Sequence, residues 1–171
     1  VNNKINIAIT GIGSLIGQAI IKSIQRSNLK DQINIIGFDY FMDTVGGFWI
    51  DEKYILPDIL KPDVTQQEWV DTIIRVIIER DIKLLFVGVD FELPILAKFK
   101  AEIERRTGAI VMVSSSEVIE IADDKYLTYS FIILTTIFFI LSLNLKINEI
   151  IKIVTSPILI IKKILSLLKK K

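Results

Sequence analysis

Along the first three quarters of the chain, short solid runs of apolar residues alternate with longer runs of helical spacing. Ile5-Asn6-Ile7-Ala8-Ile9-Thr10 is a β-branched run ending at Gly11, and Leu15, Ile16, Ala19, Ile20 and Ile24 then recur at the spacing of one helix face. Ile33 to Phe38 is a second solid run, closed by Asp39. Thr65-Gln66-Gln67-Glu68 has the pattern of a reciprocal helix cap and opens a helix carrying Trp69, Ile73, Ile74, Ile77 and Ile78. Leu84-Leu85-Phe86-Val87 is a third strand pattern, closed by Gly88 and Asp90, with Leu93, Leu96, Ala97 and Ile103 marking the helix behind it and Gly108 ending that helix. Ala109 to Val113 is a fourth strand pattern. Ser114-Ser115-Ser116-Glu117 then starts a short helix that Val118, Ile119 and Ile121 are expected to anchor inward.

Strands that are apolar throughout, rather than alternating, are expected where helices cover both faces of a parallel sheet. Four strand–helix units in succession therefore predict an α/β fold, a doubly wound parallel sheet of about four strands. Tyr40 to Lys61 breaks the rhythm with Gly46-Gly47, Pro57 and the aromatics Phe41, Phe48 and Trp49. It reads as a long crossover loop with one short strand at Tyr54-Ile55-Leu56, and loops of that length often carry function or meet another lobe.

The length, 171 residues, suits one domain with a real core. The net charge of +1 hides a division: residues 1–130 carry 14 Lys+Arg against 19 Asp+Glu, and residues 131–171 carry 7 against 1. With neither Cys nor His, thiol nucleophiles, disulfides, the usual zinc sites and imidazole catalysis are excluded together. Val1-Asn2-Asn3-Lys4 leads straight into the first strand without the pattern of a secretory signal, so a cytoplasmic location is expected.

Three segments are candidates for chemistry. Gly11-Ile12-Gly13-Ser14-Leu15-Ile16-Gly17 is a glycine-rich turn between strand and helix, where free N–H groups attract phosphate. Its spacing is one residue longer than the dinucleotide fingerprint, while Asp39 stands where a ribose-binding acid would. A turn that needs small residues only to pack helix on sheet explains the glycines equally. Asp90 and Glu92 follow the carboxyl end of the third strand, where ligands of open parallel sheets gather, and as a helix cap and a first-turn acid they would need no ligand. Lys125, behind Asp123 and Asp124, is the third candidate, with a salt-bridged surface lysine as the plainer alternative.

Taken in order, Asp90-Phe91-Glu92-Leu93 with Leu96-Ala97, Val113-Ser114-Ser115-Ser116-Glu117-Val118-Ile119-Glu120 and Asp124-Lys125-Tyr126-Leu127-Thr128-Tyr129 resemble carbamoyl-phosphate-synthase-like ATP-grasp proteins. Ile35-Ile36-Gly37-Phe38-Asp39 and Tyr54-Ile55-Leu56-Pro57 extend the resemblance, which spans residues 4 to about 131. The resemblance implies that residues 1–130 are a Rossmann-like pre-ATP-grasp domain, which in the family packs on two lobes that clasp ATP and Mg2+. It implies an ATP-binding role for Lys125, a compact charge on a long stem. The loop carrying Gly11, Gly13, Ser14 and Gly17, together with Asp39, Asp90 and Glu92, would lie on the side of a small-molecule carboxylate or amine substrate. No residue is carried over as catalytic or as a metal ligand.

Beyond Tyr129 the texture changes: 27 of the last 41 residues are Ile, Leu or Lys, with no Gly, Ala, Arg or Asp. The family's second ATP lysine, phosphate-covering glycine loop and magnesium ligands have no counterpart there, so residues 131–171 form an atypical apolar tail and the chain is expected to be inactive alone. Three readings of the tail stand side by side. A frameshift near residue 131 of an AT-rich gene would produce its composition. Tyr126 to Leu145 is a charge-free run of 20 residues, near the length that spans a bilayer, which makes a membrane-associated location the alternative. Ile147, Ile150, Ile151 and Val154 recur at helical spacing with Lys146 and Lys152 between them, as in an amphipathic helix. Seven lysines without arginine or interleaved aromatics point away from a nucleic-acid partner.

Overall fold

The computed structural model describes residues 4–143. Five strands, β1 (Ile5–Ile9), β2 (Ile33–Asp39), β3 (Glu52–Ile55), β4 (Leu84–Phe86) and β5 (Ile110–Met112), form one sheet in the order β3-β2-β1-β4-β5. Every pairing is parallel, with Ile7 opposite Ile35 on one side and Leu84 on the other. The helices are α1 (Leu15–Arg26), α2 (Gln66–Glu79), α3 (Leu93–Thr107), α4 (Ser116–Asp123) and α5 (Lys125–Leu143). The sheet is thus doubly wound and Rossmann-like, with one strand more than the apolar runs alone indicate. The extra strand, β3, starts at Glu52 rather than Tyr54 and lies at an edge, where a short, half-polar sequence suffices.

Two clusters of buried side chains hold the sheet. The larger packs Trp69, Val70, Ile73, Ile74 and Ile77 of α2 and Leu96 and Ile103 of α3 against Ala8, Ile36, Phe38, Leu85 and Val111. The smaller joins Ile9, Ile12 and Ile21, with Ile20, Ile24, Trp49 and Ile50 packed around them. The Thr65 hydroxyl accepts the Glu68 N–H at 3.1 Å, the forward half of the expected cap. Arg106 bonds Asp71 at 2.6 Å and Glu102 at 2.9 Å, which holds the Asp71 carboxyl below its ordinary range and ties α3 to α2.

Three sequence expectations change. The buried residues of α1 are Gly17 and Ile21, while Leu15 is 87% exposed, because the close approach of Gly17 to the turn before it sets which side of the helix meets the sheet. Coverage of both sheet faces is incomplete at β5, whose outward side chains Ile110 and Met112 are exposed. Helix α4 buries none of its residues: Val118 is exposed, and Ile119 and Ile121 are half-buried.

By its internal contacts the chain divides into two compact units, Val1–Ile119 and Glu120–Lys171. In the second unit, Asp124 Oδ1 accepts the N–H groups of Tyr126 and Leu127 and thereby caps α5. Thr135 and Thr136 return their hydroxyls to the carbonyls of Phe131 and Ile132, which satisfies polar groups within an otherwise apolar helix. Among the described residues no helix is long and apolar enough to cross a membrane. The helix nearest to that description is α5, of 19 residues, with Lys125 its only charge. The amphipathic pattern from Ile147 to Val154 lies outside the described residues, as does most of the tail on which the frameshift reading rests.

Candidate functional site

In an open parallel sheet, a crevice forms where the strand order reverses, at the carboxyl ends of the two strands that lead in opposite directions. Here those strands are β1 and β4, and the glycine turn follows β1 directly. Gly11 has φ +52°, a left-handed conformation that turns the chain off the strand. Ser14 caps α1: its hydroxyl accepts the Gly17 N–H at 2.9 Å and donates to the Gly88 carbonyl at 2.6 Å, joining the segment after β4 to that after β1. Helix and turn are so close that a Cβ on Gly17 would stand 2.2 Å from the Gly11 carbonyl oxygen.

Asp39, at the end of β2, is buried. Its Oδ2 accepts the Gly13 N–H at 2.7 Å and its Oδ1 accepts the Tyr40 N–H at 2.7 Å, so the carboxylate latches β2 to the glycine turn. The amides of the turn are largely committed: Ile12 to the Phe38 carbonyl, Gly13 to Asp39, Ser14 to Gly11, Gly17 and Gln18 to Ser14. The crossover loop closes over the same turn. A Cβ on Gly13 would meet the Thr44 side chain at 2.7 Å, and one on Gly46 would stand 1.9 Å from the Ile12 carbonyl oxygen. The fold thus uses the amides of Ile12, Gly13, Ser14 and Gly17 internally, in keeping with a turn whose glycines pack helix on sheet.

Asp90 and Glu92 lie in the 3-10 turn after β4 and have different fates. Asp90 is exposed and makes no cap for α3, which begins with Leu93-Pro94. Glu92 occupies the N-cap position but makes no capping bond. It is fully buried, with Oε1 accepting the Tyr40 hydroxyl at 2.8 Å and Oε2 without a hydrogen bond. Burial pushes the Glu92 carboxyl up to about 7; the neighbouring Thr10 and Tyr40 hydroxyls oppose the rise and the Asp39 charge adds to it. Burial and the Glu92 carboxylate likewise push the Tyr40 hydroxyl well above the ordinary tyrosine range. Tyr40, which sequence reasoning passed over, is the residue that joins the ends of β2 and β4. Its only sequence signal is its place directly after Asp39.

The structure therefore gathers Gly11, Gly13, Ser14, Gly17 and Asp39 with the segment from Gly88 at one sheet edge. Lys125 belongs to the second unit and is exposed at the first position of α5. Among the described residues no group of three or more Asp or Glu side chains is placed to hold a metal ion. Both oxygens of Asp39 already hold backbone N–H groups and Glu92 is sealed from solvent, so neither of these two acids is free to ligate magnesium as placed.

Sheet order, glycine turn and switch-point position define a Rossmann-like α/β domain. No protein-family model matches the chain, and no curated protein matches it. Among solved structures it is similar to the dTDP-glucose 4,6-dehydratase of Bacillus anthracis str. Ames, solved in complex with NAD, at 18% identity and a TM-score of 0.43. The match covers 63% of this chain and 36% of that one.

Proposed function

We propose that residues 1–130 are the N-terminal, Rossmann-like lobe of an ATP-grasp carboxylate–amine ligase of the carbamoyl-phosphate-synthase-like kind. In such a ligase ATP phosphorylates a carboxylate and an amine attacks the acyl phosphate, with magnesium and lysine neutralising the transferring group. This chain contributes the substrate-side sheet and Lys125. In the family ATP and magnesium are clasped by two further lobes, and residues 1–171 by themselves are expected to be inactive.

The observation that supports this reading is the closed glycine turn. With the amides of Ile12, Gly13, Ser14 and Gly17 bonded internally and Thr44 and Gly46 packed against it, the turn reads as scaffold rather than as a cradle for pyrophosphate. The positions that carry the resemblance also follow in order along the fold: Asp90 to Leu93 after β4, Ser114 to Glu120 after β5, and Asp124 to Tyr129 at the start of α5. A calorimetric titration of the full chain with Mg-ATP is expected to give no heat of binding up to about 1 mM, and micromolar affinity would contradict the reading. The nucleotide sequence past codon 131, read in another frame, is expected to encode the missing glycine loop and metal ligands; finding none would remove the frameshift explanation.

A second reading, a non-catalytic nucleotide-binding module, is favoured by the position of the turn at the switch point between β1 and β4. It requires the crossover loop to move off Gly13.

A further inference from the structure

Beneath the carboxyl edge of the sheet lies a group of buried polar side chains that no role in ligand binding explains. Thr10 follows β1, Asp39 ends β2 with Tyr40 directly after it, Glu92 follows β4, and Trp69 comes from α2; Thr10, Trp69 and Glu92 are fully buried, Asp39 nearly so and Tyr40 half-buried. The Tyr40 hydroxyl donates to Glu92 Oε1 at 2.8 Å, and the Tyr40 ring rests on Phe91 with centroids 5.7 Å apart. The Thr10 hydroxyl accepts the Gly88 N–H at 3.1 Å. Two atoms of the group make no hydrogen bond of good geometry, the acceptor Glu92 Oε2, which has the Thr10 hydroxyl as neighbour, and the donor Trp69 Nε1, which has the Tyr40 hydroxyl as neighbour.

We infer that Glu92 is a proton-binding site and that its proton holds the ends of β1, β2 and β4 together as a clasp. Charge and geometry lead to this conclusion together. An ionised carboxylate here would be a fully buried charge with Asp39 as a like-charged neighbour and, besides Tyr40 on Oε1, only the Thr10 hydroxyl near it. A neutral carboxyl avoids both costs. Because Oε1 already accepts the Tyr40 O–H, the proton belongs on Oε2, where it can be offered to the neighbouring Thr10 hydroxyl. The titratable groups acting on the pair are Asp39 on β2 and Asp58, which acts on Tyr40 from the loop after β3; Asp90, on the same short turn, is exposed. When the proton leaves, Oε2 needs water, and the contact of Tyr40 and Phe91 at the rim must loosen to admit it.

The direction follows from linkage. The folded chain keeps the Glu92 proton up to about pH 7, whereas the unfolded chain releases it near the ordinary 4.5. The stabilising contribution is therefore whole below the lower value and lost as pH rises to the higher one, the folded-to-unfolded ratio falling by up to about tenfold per pH unit between them. The chain has no histidine or cysteine, so no other side chain ordinarily titrates near neutrality.

The test is difference infrared spectroscopy of the full-length chain, which reads the carbonyl band of a protonated carboxyl directly, alongside Trp69 fluorescence in a Trp49→Phe background. A protonated-carboxyl band that disappears with a midpoint within about one unit of pH 7, is absent in Glu92→Gln, and is accompanied by a Trp69 emission change also lost in Glu92→Gln is the expected result. Glu92→Gln keeps an acceptor for Tyr40 and supplies a donor in place of the proton, so it should fold and be level in stability across the same range. A band titrating in the ordinary glutamate range, or one that persists in Glu92→Gln, would overturn the assignment. The infrared measurement on the unsubstituted chain decides the matter even where a variant fails to fold.

Discussion

Replacing Gly17 by alanine is expected to destabilise the domain by about 3 kcal/mol or more. The added Cβ would stand 2.2 Å from the Gly11 carbonyl oxygen and 2.9 Å from both the Gly11 carbonyl carbon and the Ile12 Cα. All three obstacles are backbone, so no side chain can swing aside to relieve the contact. Either α1 lifts from the sheet, breaking the Ser14 bonds to Gly17 and Gly88, or the turn distorts at Gly11. Urea denaturation should show a lower midpoint with the slope unchanged. Gly108→Ala makes the contrast: φ there is +72° but nothing lies within 4 Å of the added carbon, so it should cost only about 1 kcal/mol. A loss at position 17 no larger than that at position 108 would mean that helix and turn yield to the added carbon and that close approach does not require the glycine.

Trp69→Ala should be as damaging, at about 3–5 kcal/mol, because Trp69 is fully buried and is among the largest side chains of the main core cluster. It fills the space between α2 and the strand ends that carry Ala8, Phe38 and Leu85. Trp69→Phe is expected to cost much less, since most of the apolar volume stays and the indole N–H that it removes makes no hydrogen bond of good geometry. Thermal unfolding followed by circular dichroism separates the two. A Trp69→Phe loss as large as that of Trp69→Ala would show that the indole N–H is bonded after all.

The strands were legible because a parallel sheet covered by helices writes itself as solid apolar runs, and four of the five strands lie where those runs stand. The edge strand Glu52-Lys53-Tyr54-Ile55 was harder to read, since an edge tolerates the polar residues that mask the pattern. Of the apolar face that the periodicity of α1 predicts, Ile20 and Ile24 pack on the core while Leu15, Ile16 and Ala19 are exposed, because the close packing of Gly17 turns the helix toward Ile21. Helix α4 shows the same limit in another form, its apolar spacing not leading to burial of Val118. At the site, the sequence marks the glycines and acids but not their partners. Nothing in the order of residues tells that Asp39 latches Gly13, or that Glu92 turns inward to Tyr40 while Asp90 two residues earlier stays in solvent. Those pairings join positions 26 and 52 residues apart and exist only once β1, β2 and β4 are side by side.

Whether the glycine turn is a scaffold or a ligand site is decided most directly by titrating the full chain with NAD+ in a calorimeter, beside the Asp39→Ala variant. If Asp39 is a latch, the unsubstituted chain gives no binding heat up to about 1 mM. Asp39→Ala then lowers stability by about 2–3 kcal/mol by leaving the Gly13 and Tyr40 N–H groups unpaired. Micromolar binding by the unsubstituted chain, lost in Asp39→Ala while stability is unchanged, would contradict the scaffold role and make the turn a dinucleotide site.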